Sequence, residues 1–389
     1  MPDRIVIAST ARTPFTRANK GELKDTRPDT LAAHVIKEAI ARVPGLKAGD
    51  IEDIVLGCAM PEAEQGMNVA RIAGMLAGLP DTVPGMTINR FCASGVQSIA
   101  QVAQAITAGQ YSIGIAGGVE SMSMIPMGGN KVSANPELME QHPEVYTSMG
   151  ATAEKVAAKF GVSRDDQDVF ANDSQAKATK GRTNGNLKDE IAPITVKVFD
   201  ENGKAQTVTV SEDTIVRAET TLEGLKKLKP AFDAKGTVTA GNASPLTDGA
   251  AAAVVMSESK AKELGVKPLG YFVDFAVAGV PPDIMGIGPV PAVRKLLERN
   301  KLTVADIDVF ELNEAFAAQS LYCIRELKID PSKVNPNGGA IALGHPLGVS
   351  GTRMVGTVLR ELRRRKGKYG VVTMCIGGGM GAAALIESA

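Results

Sequence analysis

The chain has 389 residues, 44% of them apolar and 22% charged, with 43 basic and 43 acidic side chains giving a formal net charge of zero. Length predicts two or three domains, and the composition predicts a compact soluble protein. Balanced charge with no basic stripe argues against a nucleic-acid partner.

In chain order, Arg4-Ile5-Val6-Ile7-Ala8 reads as a buried strand and leaves no room ahead of it for a signal or transit peptide. Leu31, Val35, Ile36, Ala39, Ile40 and Val43 recur at helical spacing. Residues 51–57 read as a strand and 69–79 as a helix ended by Gly78 and Pro80. A small-residue helix over 95–108 closes at Gly109, and 111–117 reads as a buried strand. Such alternation predicts a layered α/β fold with parallel or mixed sheets. From about Glu120 to Ala240 the texture changes, with Met122, Met124, Met127, Met139 and Met149 in one stretch. Ser163 followed by Asp166 predicts a helix start, and Asn202-Gly203 between 196–199 and 207–210 a hairpin. This region reads as an insertion lying over the layers.

A weak internal repeat brackets it. Asp53-Ile54-Val55 is echoed by Asp308-Val309-Phe310. Ser94-Gly95 precedes a helix, a strand and Gly117-Gly118, as Ser350-Gly351 precedes a helix, a strand and Gly377-Gly378. A duplicated half-structure explains the spacing. The expected division is an N-terminal half over 1–118 to which 246–268 returns, an inserted loop domain over 119–245, and a C-terminal half over 269–389. The run Arg363-Arg364-Arg365-Lys366 reads as a solvated helix end.

The four cysteines, Cys58, Cys92, Cys323 and Cys375, lack CxxC or Cys/His spacing. Neither a disulfide framework nor a metal site is expected, and a reduced, cytoplasmic setting is. No apolar run reaches the length of a membrane span.

Three glycine-rich segments carry the chemistry-bearing residues. Asn89-Arg90-Phe91-Cys92-Ala93-Ser94-Gly95 joins a strand to a helix and puts Cys92 at the helix N-terminus. Unpaired N–H groups there are expected to lower the thiol pKa from about 8.5, as suits a nucleophile. A small cysteine filling a tight helix start would read the same way. Of the three histidines, His34 lies on an amphipathic helix and His142 beside Pro143. Only His345, between Gly344 and Pro346, sits in a rigid turn before a helix. It is placed to take a thiol proton, or to serve as a hydrogen-bonded turn residue. Val371-Val372-Thr373-Met374-Cys375-Ile376-Gly377-Gly378-Gly379 delivers Cys375 into a turn of free backbone N–H groups, an oxyanion nest. The Lys-Ser/Thr that a phosphate loop requires is missing. Glu311-Leu312-Asn313-Glu314-Ala315-Phe316 ends a strand and opens a helix, where Asn313 binds a water or carbonyl or caps the helix. Cys58 and Cys323 read as core.

Together the blocks Asn-x-x-Cys-x-Ser-Gly, Asn-Glu-Ala-Phe, Gly-Gly-Ala-Ile-Ala-Leu-Gly-His-Pro and Cys-Ile-Gly-Gly-Gly-x-Gly resemble the thiolase family in order and spacing, from Ala11-Arg12-Thr13-Pro14-Phe15 to Ala384. The resemblance implies a layered α-β-α-β-α core of two similar halves with an inserted loop domain. It implies that Cys92 carries the acyl group and that His345 activates it. His345, with a water held by Asn313, would form one oxyanion hole, and the N–H groups of Cys92 and Gly377 the other. Cys375 would be the second acid/base. Ser244, Arg217, Phe232, Met149, Met285 and Phe316 match substrate- or CoA-side positions. The implied activity is CoA-dependent cleavage of a 3-ketoacyl-CoA, with CoA as substrate and no metal or redox cofactor. The implied partners are CoA, acyl-CoA, a second or further copies in a homodimer or homotetramer, and a β-oxidation subunit.

Biosynthetic acetoacetyl-CoA thiolases resemble each other in a histidine before the insertion's Met-Gly; here Ser148 precedes Met149-Gly150. A degradative thiolase of fatty-acid β-oxidation is therefore expected, with acetoacetyl-CoA synthesis as the alternative and a non-catalytic CoA- or lipid-binding protein as a second. A β-ketoacyl synthase would need two histidines beside the cysteine. Lys177, Lys180 and Arg182 are candidates for the CoA phosphates by charge alone.

Overall fold

The computed structural model describes residues 3–389. The first part of the chain forms β1 (Ile5–Arg12), β2 (Thr16–Arg17), α1 (Pro28–Ala41), β3 (Asp53–Gly57), α2 (Val69–Leu76), β4 (Gly85–Ile88), α3 (Ser94–Thr107) and β5 (Ile113–Ser121). The region between β5 and the next core strand holds α4 (Pro136–Gln141), α5 (Met149–Phe160), α6 (Arg164–Thr183), β6 (Ile194–Phe199), β7 (Ala205–Val210) and α7 (Leu222–Lys226). The core resumes with β8 (Thr247–Ser257), α8 (Glu258–Glu263), β9 (Gly270–Gly279), α9 (Pro289–Arg299), β10 (Val309–Leu312), α10 (Ala317–Leu327), α11 (Ala340–Leu343), α12 (Ser350–Arg365), β11 (Tyr369–Ile376) and β12 (Met380–Ser388).

Local chemistry accounts for most boundaries. Pro28 occupies the first turn of α1, where its missing N–H costs nothing. Gly78, at φ +79°, lets α2 stop at Leu76, three residues short of the sequence expectation. Ser163 accepts from the N–H of Asp166 and starts α6, and β6 pairs antiparallel with β7 across the Asn202-Gly203 turn. β5 runs on to Ser121, so Glu120 lies within the sheet, opposite Gly249. A buried acid is rare in a strand, which is why the sequence pattern placed the change of texture there.

The strand order β10-β11-β12-β9-β1-β8-β5-β3-β4 repeats a motif. In each half the parallel pair, β3 with β5 or β10 with β11, is followed by two antiparallel neighbours. The halves join where Ile5, Val6 and Ile7 of β1 pair with Phe272, Tyr271 and Gly270 of β9. Three apolar clusters define five layers. One packs α1 and α2 on the outer face of the first half-sheet. Another packs α3 and α12 between the two half-sheets, and a third packs α9 and α10 on the outer face of the second. The central helices touch backbone to backbone: a Cβ on Gly351 would stand 2.4 Å from the Val96 nitrogen. Where β5 leads into the long insertion, β11 reaches β12 through residues 377–379 alone. Gly378 and Gly379 sit there at φ +80° and +85°, open to glycine and costly for other residues.

Buried ion pairs tie the insertion to the core. Arg12, 2% exposed, donates to both oxygens of Asp213 (2.7 and 2.8 Å) and to Glu190 (3.1 Å). Asp213 also accepts from the Phe15 N–H at 2.8 Å. Arg12→Met would leave two carboxylates buried without their cation. It should lower unfolding stability by about 3–5 kcal/mol, measured by urea denaturation; a loss under about 1 kcal/mol would refute this account.

Candidate active site

Cys92 occupies a single 3₁₀ turn, Phe91–Ala93, between β4 and α3. Phe91 is held at φ +43°, a region that non-glycine residues rarely occupy. Hydrogen bonds over-determine that conformation. The Ser94 hydroxyl donates to Phe91 O (2.7 Å) and accepts from Arg90 N (2.8 Å). Asn89 accepts from Phe91 N (2.8 Å) while its amide donates to Ala59 O (3.0 Å). The thiol is 1% exposed and packs with Ala59, Met122 and Leu347.

The resting state of Cys92 departs from the sequence expectation. Burial pushes its pKa up to about 12, opposed in part by the N–H groups of Gly377 and of Cys92 itself, and reinforced by the charge of Glu120. Desolvation thus outweighs the helix-terminus effect, and the free site holds a thiol. The two opposing donors are the amides that the family resemblance assigns to the second oxyanion hole, and both act on the sulfur strongly enough to lower its pKa against burial. They are placed to meet the carbonyl oxygen of a thioester on that sulfur.

His345 follows Gly344, whose φ of +90° and contact with the Thr247 side chain admit no Cβ. Its N–H donates to Thr247 Oγ1 at 3.1 Å. Ser350 Oγ donates to Pro346 O (3.1 Å) and lies 2.6 Å from His345 Nδ1. With its own proton committed, the hydroxyl accepts from Nδ1–H, and this network assigns the lone pair to Nε2. Nε2 is 3.2 Å from Asn313 Nδ2. Asn313 Oδ1 is buried with no protein partner, which suits a water there. Burial first, then the charge of Arg353, pushes the imidazole pKa down to about 3. A neutral imidazole therefore faces the site at neutral pH.

Cys375 ends β11, fully buried, and its anion is disfavoured by burial and by the neighbouring Cys92 and Cys323. It shares a cluster with Met285, Phe316, Ala243 and Ala153, with Met149 packed against it. Phe232 crosses Phe316 edge-on at 5.9 Å between ring centroids and lies over Gly150, where a Cβ would meet the ring at 2.1 Å. Ser244 N donates to Ala315 O at 3.0 Å, beside Asn313 in the chain.

Gly377 and Cys375 thus neighbour Cys92, His345 neighbours Asn313, and Leu347 of the His345 loop packs against Cys92; Met149, Met285 and Phe316 pack with Cys375. Arg217 lies beside α6. Its N–H donates to Gln175 (2.9 Å), its Nε has no partner, and burial and Arg17 depress its pKa. Of the lysine and arginine candidates, Lys177 pairs with Asp173 at 2.8 Å and Arg182 lies 3.9 Å from Glu212. Lys180 lines an open groove of about 400 Å³ with Asn172 and Thr179.

Sequence reasoning missed Ser350 as the partner of His345, and also Thr247. The repeat held a signal for the first, because Ser94 and Ser350 are equivalent and each hydroxyl braces the reactive loop before its own helix.

The resting charges predict a pH profile. Because the thiol is raised to about 12, the anion forms late, and the rate of Cys92 alkylation by iodoacetamide should still climb at about pH 10. A plateau below about pH 8 would show a pre-formed thiolate and contradict this reading.

The model of the thiolase N-terminal domain matches residues 5–259, and that of the thiolase C-terminal domain residues 266–388. The chain is 53% identical over 386 residues to the 3-ketoacyl-CoA thiolase of Bacillus subtilis, covering 98% of each. It is 50% identical to the peroxisomal 3-ketoacyl-CoA thiolase A of Mus musculus, over 98% of this chain and 90% of that one. Among solved structures, the dimeric peroxisomal thiolase of Saccharomyces cerevisiae superposes with a TM-score of 0.89 at 42% identity, covering 100% of this chain and 98% of that one. The Bacillus anthracis acetyl-CoA acetyltransferase superposes with a TM-score of 0.90 at 41% identity, covering 99% and 98%. With both domain models matched in order across nearly the whole length, this chain belongs to the thiolase family.

Proposed function

We propose that this chain cleaves 3-ketoacyl-CoA with a second CoA, giving acetyl-CoA and an acyl-CoA shortened by two carbons. The observation that carries the reading is the buried sulfur of Cys92, whose pKa the N–H groups of Cys92 and Gly377 pull down against desolvation. The loop that packs Leu347 against Cys92 carries a neutral imidazole whose tautomer leaves Nε2 as a base.

In the first step Nε2 of His345 takes the Cys92 proton as the sulfur attacks the 3-keto carbon. The bond between C2 and C3 breaks, its electrons passing to the acetyl-CoA enolate, and Cys375 supplies the proton to C2. In the second step the Cys375 thiolate takes the proton of an incoming CoA thiol, whose sulfur attacks the acyl carbonyl. The N–H groups of Cys92 and Gly377 hold the oxyanion until the Cys92 sulfur leaves and recovers its proton from His345. Both proton transfers close on protein groups, so the reaction calls for no metal or redox cofactor, and CoA is a substrate. Neutral resting groups suit this cycle, because charge is created only once substrate has displaced water from the site.

A degradative role in fatty-acid β-oxidation is favoured by Ser148 in place of a histidine at the head of α5, and by the adaptable side chains of Met149 and Met285 around Cys375. Four free cysteines suit a reducing compartment such as the cytoplasm. A homodimer is supported by β4. It is an edge strand with Met86 42% exposed.

Wild-type protein should cleave both a four-carbon and a ten-carbon 3-ketoacyl-CoA, and Cys92→Ser should lower kcat for each by about a thousandfold or more. Cleavage of the short substrate alone would assign acetoacetyl-CoA chemistry instead, and cleavage of neither would refute the enzymatic reading. For the assembly, light scattering should give twice the 40.5 kDa chain mass, and Met86→Glu should shift it to one chain. A wild-type monomer would overturn the dimer.

A further inference from the structure

Glu120 is 1% exposed, with no cation beside it, and its carboxylate is held by donors from three separate segments. Oε2 accepts from Ala59 N (2.8 Å) and Gly348 N (2.8 Å). Oε1 accepts from Met60 N (3.2 Å), Gln65 Nε2 (3.0 Å) and, weakly, Cys58 Sγ (3.8 Å). Ala59 and Met60 wall the Cys92 thiol, as does Leu347, two residues beyond His345. Gly348 closes the His345 loop, and a Cβ on it would lie 2.9 Å from Glu120 Oε2 and from Cys58 Cα. One carboxylate therefore reaches from the nucleophile's wall in the first half to the base's loop in the second.

We infer that Glu120 is a positioning residue that sets the His345 loop against Cys92, so that the base meets the thiol. The inference rests on the thiolase reading of those two residues, yet it is distinct from that chemistry, because Glu120 touches neither substrate nor reacting atoms. Five donors and no counter-ion are what such a role requires. A carboxylate accepts from two loops at once, whereas an amide presents N–H groups to one of them. Fixing a loop this way matters because a small misplacement of a base relative to its thiol is costly in rate.

The test is a double-mutant cycle on Cys92 alkylation, read by mass spectrometry of the Cys92 peptide near pH 8, with thermal midpoints recorded for every variant. Glu120→Gln should slow alkylation by at least about tenfold with His345 present, and by less than about twofold in the His345→Ala background. Thiolysis by Glu120→Gln should lose kcat by a similar factor with KM nearly unchanged. Equal slowing in both backgrounds would overturn the inference as a general loosening of the fold. Alkylation faster than wild type would overturn it in favour of a purely electrostatic brake on the thiol. If Glu120→Gln does not fold, Glu120→Asp, which keeps the charge but withdraws it from Gly348, runs the same cycle with the same criteria. Alkylation needs no acyl substrate, so a wild type that fails to cleave 3-ketoacyl-CoA counts against the proposed function while the cycle still decides Glu120.

Discussion

The backbone of the His345 loop lies directly on the strand ends of the opposite half, and the site exists because of that contact. Gly348 O would stand 1.9 Å from a Cβ on Gly118 and 2.8 Å from one on Gly95. Glycine at both places removes the side chains that would hold the halves apart. The central pair α3 and α12, also in glycine-mediated contact, extends the approach along the whole middle layer. Cys92 and His345 come from different copies of one repeat, so neither half holds both.

Burial at this seam governs the electrostatics. The same close packing that brings Cys92, Cys375 and His345 together strips them of water, and both thiols and the imidazole are driven toward their neutral forms. A helix terminus in water would have ionised Cys92. Here burial outweighs the effect of the N–H groups. Other buried ionisable groups are tied to partners, Arg353 to Glu311 at 2.8 Å, Arg12 to Asp213, and Glu120 to the N–H groups of Ala59 and Gly348.

Duplication followed by divergence explains the division of labour. The equivalent serines, Ser94 and Ser350, brace equivalent loops, yet one loop presents a thiol and the other an imidazole. The connection after β5 grew into an insertion that lays Met149 and Phe232 over the site. The connection after β11 shrank to three glycines whose first N–H faces Cys92.

Residue order alone sets the alternation of elements, the capped start of α6, the β6–β7 hairpin and the repeat that brackets the insertion. It also singled out Cys92, His345, Asn313 and Cys375, because reactive residues at element ends stand out from a core of Ala, Val and Ile, while Gly377 came only with the family resemblance. These features are local, written in residues within a turn or two of one another. Tertiary structure alone decided the protonation states, since desolvation depends on segments hundreds of residues apart. It also decided the partners of Glu120, whose donors come from residues 58–65 and 348. A carboxylate in a strand carries no mark of which N–H groups will surround it; only the folded seam between the two halves supplies them.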